Sequence, residues 1–494
     1  MLPGLPSRHR RRALLAPALL AAALLLPPRA PADSITGADW IVTFNRPDQT
    51  TTPSSVGDGE FDIRDAFIAR IDALKSGDSA LLATYTFTGP NEANGAAGPI
   101  LRAVSNALAR GASVGFVVGN GVNVASNFWP GCSLQSLSRR SRNPMSLAKA
   151  PSGGIMHDKI GVFSYASTGE KWLLTASWNF TAAASSQQWN ILLQTRNDAL
   201  HAACSAELRQ MLAGRFHANP AKQHLDASFR TAAAHADGLV RFAPYLSYRA
   251  DAENALTDIT NRIARATTSI WFALNKQTRP AVTDQLIAAA DRGLDIHGVI
   301  PKSDRAASSD ASYSQYARLR ANSSYATTNR VHLHDAWQSS ARASRDTGTD
   351  DLVHCKYMVI DPDGPSPWVI HGSANWTATA LATTNTASSN DENVLFVPDA
   401  GIAAAFLKQF SAMTGVSVPK PLPAPTDFSL SLTAAGLACT IPPDAPYSAF
   451  FLVGTTDLST WTTNWQRRLP TGTSTLPLPT DAADRLYFRI EGTP

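Results

Sequence analysis

Two histidine–lysine pairs, nearly two hundred residues apart, carry the residue types that could do chemistry. The first, His157-Asp158-Lys159, runs on to Ala176-Ser177-Trp178-Asn179. The second, His354-Cys355-Lys356, reaches Asp361 five residues past its lysine and continues to Gly372-Ser373-Ala374-Asn375. Lysine to serine is 18 residues in one copy and 17 in the other. Side chains alternate faces along a β-strand, so a histidine and a lysine two apart are expected to point the same way. Each copy thus offers one imidazole and one ammonium, with a Ser/Asn pair from a second strand. Two such half-sites suit a phosphodiester: imidazoles for proton and phosphoryl transfer, cations for the oxygens, and no obvious need for a metal or cofactor.

The elements that must position these groups also occur twice. Trp40–Phe44 pairs with 239–242, and the apolar run Ala80–Phe87 pairs with Ser269–Leu274. A helical run 100–110 stops at Gly111 and passes into strand 114–118; its partner, 282–292, stops at Gly293 and passes into 296–300. Glycine is an effective helix stop because it accepts a left-handed backbone. Each half closes with a helix, over 202–212 and 403–413. Strands alternating with helices predict an α/β fold: two α/β/α repeats about a pseudo-twofold axis, with the half-sites meeting between them.

The residues quoted resemble the signature of the phospholipase D superfamily, His-x-Lys, four residues, Asp, then Gly-Ser-x-Asn. The second copy matches fully and is followed by Asn390-Asp391-Glu392-Asn393. The wording is most similar to the compact nuclease and phospholipase branch. The resemblance implies that one histidine attacks phosphorus while the other protonates the leaving oxygen and then activates water. It assigns attack to His157 and acid–base work to His354. Lys159, Lys356, Asn179 and Asn375 would hold the non-bridging oxygens, supported by Ser177 and Ser373. Glu392 would orient a histidine, and Asp361 would brace its motif. The first copy departs at three places. Ser164 stands where the Asp belongs, Ala176 replaces the Gly, and aligning 185–190 with 388–393 puts Trp189 opposite Glu392. Its histidine is then expected to lack an orienting carboxylate unless the other half supplies one.

Composition bounds the rest. Residues 1–32 read as a secretory signal peptide: Arg8 and Arg10–Arg12, an apolar run over 13–26, and the small-x-small site Ala30-Pro31-Ala32. The expected location is therefore secreted or periplasmic. The chain has 43 basic and 39 acidic residues, and removing the five arginines of this leader leaves 38 against 39. A mature protein near neutrality lacks the broad positive field of strong nucleic-acid binders. Arg139, Arg140, Arg142 and Lys149 are a local exception, read as a solvated loop or a rim for an anionic substrate. Cys355 should point into the core; Cys132 and Cys204 share a half and could pair; Cys439 is an isolated residue of the tail. His332-Leu333-His334-Asp335 has the shape of a metal-binding strand but lacks further ligands, so no metal is assigned. Trp172, Trp368, Trp178 and Trp376 read as packing.

The expected domains are 33–220 and 238–417, joined by a linker over 221–237. A Pro-rich linker, 418–425, then leads to a small fibronectin-like β module, 426–494. The reading is a phospholipase D-type hydrolase acting on phospholipid headgroups at a membrane or micelle surface. A nucleic-acid phosphodiesterase is the alternative, and a non-catalytic binding protein with a decayed first half is the third. One chain carries both half-sites, so a monomer with no obligate protein partner is expected.

Overall fold

The computed structural model describes residues 34–47, 61–90, 95–217, 219–244, 254–301, 311–325, 330–334, 336, 353–381 and 389–418, and the backbone of six later strands. The leader, the Pro-rich stretch after 418, Asp335 and the side chain of Cys439 lie outside the described residues.

In the first half the order is β1 (Ser34–Thr36), β2 (Trp40–Phe44), α1 (Asp62–Asp72), β3 (Ser79–Thr84), α2 (Ala97–Arg110), β4 (Ser113–Val118), α3 (Leu134–Ser138) and β5 (Ser146–Lys149). It continues with β6 (Ile160–Ser164), β7 (Lys171–Ala176), α4 (Ala182–Ser186), β8 (Ile191–Thr195) and α5 (Asp198–Leu212). The second half runs β9 (Ala227–Phe229), β10 (Gly238–Ala243), α6 (Ala255–Ala264), β11 (Ser269–Leu274), α7 (Pro280–Asp291), β12 (Asp295–Val299) and α8 (Ala311–Tyr325). It closes with β13 (Val331–His334), β14 (Lys356–Ile360), β15 (Trp368–Gly372), β16 (Glu392–Val397) and α9 (Ala400–Thr414).

Each half builds one eight-stranded mixed sheet, in the orders β1-β2-β8-β7-β6-β3-β4-β5 and β13-β12-β11-β14-β15-β16-β10-β9. The interior strands are largely apolar and buried almost throughout, β11 (SIWFAL) at every residue, because both faces of each sheet are covered. One cluster lies outside the first sheet, under α1 and α2; another lies outside the second, under α6, α7 and α8. A third joins the inner faces through α5 and α9, bringing Leu208 and Met211 together with Phe406, Phe410 and Trp271. Each fully buried large apolar side chain contributes about 1.5–3 kcal/mol. The two halves therefore share a core, in the layer order helix, sheet, helices, sheet, helix.

The duplicated stops behave as the repeat requires: Gly111 and Gly293 both lie at positive φ, 94° and 101°. Cys132 and Cys204 are free thiols buried on opposite sides of the first sheet, so the pairing open to them on sequence is not made. Cys355 is fully buried, with Sγ 3.2 Å from the Trp189 carbonyl. The stretch 221–237 is no bare spacer: it supplies β9, which pairs with β10, and Lys222. After residue 428 six strands pair as two antiparallel three-stranded sheets (Ser429–Thr433, Gly436–Ile441 and Gly472–Leu476; Trp465–Leu469, Ala449–Thr455 and Tyr487–Thr493).

Lys222 fixes the halves electrostatically. Its Nζ lies 2.6 Å from Asp391 Oδ1 and 2.8 Å from Glu207 Oε1, all three groups buried. Burial opposes charge on Lys222, but the two carboxylates more than offset it and raise its pKa. The His217 amide also donates to Asp391 Oδ1, at 2.8 Å. Removing one partner of such a network strands a buried charge, at about 3–5 kcal/mol. Lys222→Met should therefore lower the urea midpoint strongly. Arg230→Met, which breaks the exposed Arg230–Asp237 pair, should barely move it.

Candidate active site

The two motif histidines sit just before their strands rather than in them, because their backbones pair with the opposite half. The His157 amide donates to the Asp391 carbonyl at 2.9 Å, and the His354 amide donates to the Trp189 carbonyl at 3.0 Å. Isolated bridges join Met156 to Asp391 and Val353 to Trp189. Each histidine is thus docked on the residues that open the other half's last strand.

The side chains repeat this exchange. His157 Nδ1 lies 2.8 Å from Glu392 Oε2, and His354 Nδ1 lies 3.0 Å from Asn190 Oδ1. Glu392 and Asn190 occupy matched places. The Ser373 hydroxyl donates to Glu392 Oε2 at 2.6 Å, and the Ser177 hydroxyl donates to Asn190 Oδ1 at 2.9 Å. Strand register agrees, pairing Ala176 with Leu192 and Gly372 with Val394. The residue opposite Glu392 is therefore Asn190, not Trp189, which is buried beside it. The first histidine does have an orienting carboxylate, and the second half supplies it.

Tautomers follow from these partners. Glu392 is fully buried and accepts from Ser373 and His157, while its Oε1 accepts from Asn390 Nδ2 at 3.0 Å. Burial pushes its carboxyl up, but His157, Lys159 and the Ser373 hydroxyl outweigh this and leave the pKa below the usual value. An ionised carboxylate requires a proton on His157 Nδ1 and leaves Nε2 with its lone pair. Asn190 Nδ2 donates to the Ala184 carbonyl at 3.0 Å, which fixes its oxygen toward His354 and puts a proton on that Nδ1 as well. Both imidazoles are disfavoured as cations. Burial, against the pull of Glu392, brings His157 down to about 4. Burial, Lys356, Lys159 and His157 bring His354 well below its usual value. The mutual effects show that both half-sites share one field.

Lys159 and Lys356 are buried, and each donates back to its own histidine's carbonyl, at 2.6 and 2.8 Å. Burial lowers Lys159 to about 7 despite Glu392 and Asp158 nearby. Asn179 and Asn375 present one further symmetry: the side-chain oxygen of each is buried and has no hydrogen-bond partner among the described residues. These oxygens accept, so only a donor satisfies them; a phosphoryl oxygen would instead be met by the Nδ2 groups of the same two side chains.

Asp361 stays out of the cleft. Held in the left-handed region at φ 52°, it accepts from the Thr267 and Thr268 amides at 2.8 and 2.7 Å and ties the end of β14 to the turn before β11. In the first half the carboxylate comes from the other side: Asp78, in the turn before β3, accepts from the Ala166 amide at 2.8 Å. Ser164 instead lies 3.1 Å from His201 Nε2. The missing motif Asp is thus replaced as a brace.

Sequence reasoning missed Asn190, Asn390 and Tyr85. Tyr85, half-buried, sets its ring centroid 5.2 Å from that of His157 and 5.8 Å from Lys159 Nζ. A Cβ at Gly119 would come within 2.3 Å of the Tyr85 carbonyl, so that glycine leaves room for the tyrosine's backbone. His332 and His334 are joined by His297, whose Nδ1 lies 3.0 Å from His334 Nε2 and whose ring stacks on Trp271 at 3.8 Å. His297 and His334 turn nitrogens toward each other, while His332 Nε2 lies 3.9 Å from Asp295 Oδ1. Trp178 and Trp376 are fully packed.

A duplicated α/β architecture with paired His/Lys half-sites defines a phosphodiester-acting superfamily, and sequence comparison agrees. The family model described as "Cardiolipin synthase, PLD-like domain" matches residues 69–212 and again 259–414. The chain belongs to this phospholipase D-like family. Among solved structures, the phosphatidylserine synthase of Haemophilus influenzae Rd KW20 is similar at TM-score 0.49 and 12% identity, covering 76% of this chain and 86% of its own. Yeast tyrosyl-DNA phosphodiesterase is similar at TM-score 0.38 and 13% identity, covering 72% and 88%. Nuc from Salmonella typhimurium, a phospholipase D family member, is similar at 0.25 and 21%, covering 36% and 92%. No curated protein sequence matches.

The Glu392/Asn190 difference has a measurable consequence. Asn190→Asp places a carboxylate where an amide now faces His354, which favours the imidazolium. Its titration should move up toward the ordinary histidine range in 15N-resolved NMR spectra, with His157 changed much less. An unmoved His354 would mean that Asn190 does not face Nδ1 in solution.

Proposed function

We propose that this protein is a secreted phosphodiesterase of phospholipase D type, cleaving phospholipid headgroups through a phosphohistidine. The observation that carries the chemistry is the unequal support of the two imidazoles. A carboxylate behind His157 stabilises positive charge as its Nε2 attacks phosphorus. An amide behind His354 stabilises a proton less, so that imidazolium gives it up more readily.

Phosphodiester binding brings negative charge between Lys159 and Lys356 and opposes their repulsion of a proton on His354. His157 Nε2 forms a bond to phosphorus while the bond to the headgroup oxygen breaks, and His354 delivers its proton to that oxygen. Neutral His354 then takes a proton from water, the water oxygen attacks phosphorus, and the N–P bond breaks, returning its electron pair to His157. Both lysines, with Asn179 and Asn375, hold the non-bridging oxygens throughout. Ser177 and Ser373 keep Asn190 and Glu392 aimed at the imidazoles. Every charge that develops in these steps has a counterpart among the chain's own side chains, which supports a reaction that needs no metal.

The lipid reading draws on the exported, near-neutral mature chain and on the phospholipid-synthase name carried by the matching family. Choline release from phosphatidylcholine micelles, with EDTA present, tests it: wild-type release that His354→Ala abolishes is expected. No release, together with cleavage of DNA that weakens steeply with salt, would replace it with the nucleic-acid reading.

The pH profile is a second expected outcome. Below about 4 His157 takes a proton and loses its lone pair, and above about 7 Lys159 loses the charge that holds phosphate. Because His354 must carry the proton it delivers, kcat/KM should fall on the acid side as His157 is protonated. On the alkaline side it should fall first as His354, held below its usual value, loses its proton, and then as Lys159 does. Lys159→Arg, with a cation that does not titrate here, should lose the part of the alkaline fall near 7 and keep the part set by His354.

A further inference from the structure

Arg70 and Arg262 are repeats of one another with different fates. In the first half, the guanidinium of Arg70 (α1) lies 3.5 Å from the Trp172 ring centroid, and its Nε donates to Gln194 Oε1 at 3.1 Å. The Tyr165 hydroxyl donates to the Arg70 carbonyl, which closes the surface there. In the second half, Arg262 (α6) lies 3.4 Å from the Trp368 centroid, the same stack. Register pairs Leu174 with Gln194 in one sheet and Ile370 with Phe396 in the other, so Phe396 stands where Gln194 would be. Arg262 Nε is consequently a buried donor with no acceptor among the described residues. A cavity of about 540 Å³ opens beside it at the far end of β14 from Lys356, lined by Arg262, Arg265, Ser366 and Trp368 among others. None of the motif histidines or lysines lines it.

We propose that this cavity is an oxyanion site, distinct from the catalytic cleft, that takes a phosphate group between Arg262, Arg265 and Ser366. A buried guanidinium donor left unmet costs free energy that an anionic acceptor recovers. The acids in the lining already accept from other groups. Asp258 Oδ2 accepts from Arg241 Nε at 2.8 Å, and Asp361 accepts from Thr267 and Thr268. Burial brings Arg262 down to about 10, with Arg265 and Arg241 acting in the same sense against Asp258, as for a cation short of a counterion. The Trp368 and Phe396 rings lie 3.4 and 5.1 Å from the guanidinium carbon, and the side chain as a whole lines the cavity. The volume suits a small phosphorylated molecule or a phospholipid headgroup.

The test titrates the full-length mature protein with inorganic phosphate by calorimetry. A parallel arm co-sediments it with phosphatidylcholine vesicles, with and without phosphatidic acid. Wild type should show a phosphate event beyond that of the cleft, which a His157→Ala/His354→Ala background retains. Arg265→Ala, an exposed change that spares folding, should weaken this event about tenfold or more, the effect of losing one charged hydrogen bond. Phe396→Gln, which rebuilds the internal acceptor of the first half, should weaken it without removing a cation. Loss only in the phosphatidic-acid arm identifies the ligand as a lipid headgroup; loss with free phosphate identifies a soluble one. Unchanged binding of both probes in Arg265→Ala and Phe396→Gln overturns the proposal.

Discussion

The structure depends on a reciprocal backbone pairing between halves. His157 is hydrogen-bonded to Asp391 and His354 to Trp189, so neither imidazole can be placed until both repeats have folded and met. Asp391 is in turn held by Lys222 from the connecting segment. A displacement of one half would therefore move the imidazole of one motif together with the carboxylate that orients the other. Such coupling accounts for the depth of the shared core, where α5 and α9 bury apolar faces against both inner sheet surfaces. It also explains why charged groups are tolerated so far inside: each is fixed by partners that the pairing itself delivers.

Duplication would by itself give two equal half-sites, and two equal imidazoles would compete for one role. The single exchange of Glu for Asn at matched positions breaks that equality while keeping the same hydrogen-bond geometry, at 2.8 and 3.0 Å. The serine behind each is unchanged in function, donating to whichever group is present. The first motif's other departures concern support. Asp78 replaces the brace that Ser164 cannot provide, and the lysine and asparagine are kept in both copies. Degeneracy in sequence here is redistribution in space.

The repeat and both motifs were legible in the sequence because their residues are close in the chain and the strand and helix signals recur. The burial of Cys355 followed from alternation along the extended chain. What joins the halves was not legible: the His157–Glu392 and His354–Asn190 contacts span 235 and 164 residues. Asn190 was missed by one position because Ser185 stands five residues before Asn190 whereas Ser388 stands four before Glu392, so a gapless alignment on Ser-Ser slips. The histidines' place ahead of their strands was hidden for the same reason, since their pairing partners belong to the other repeat. Arg70 and Arg262 carry no motif at all; only the matched stacks on Trp172 and Trp368 reveal them.

The central claim is that unequal support assigns attack to His157 and proton transfer to His354. The most direct test is to incubate His354→Ala with bis(p-nitrophenyl) phosphate, whose leaving group needs little protonation, and to map phosphorylated peptides by mass spectrometry. A burst of one equivalent of nitrophenolate, with the aryl phosphate trapped on His157, is the predicted result. Trapping in His157→Ala on His354 instead, or no covalent species in either variant, would contradict the account.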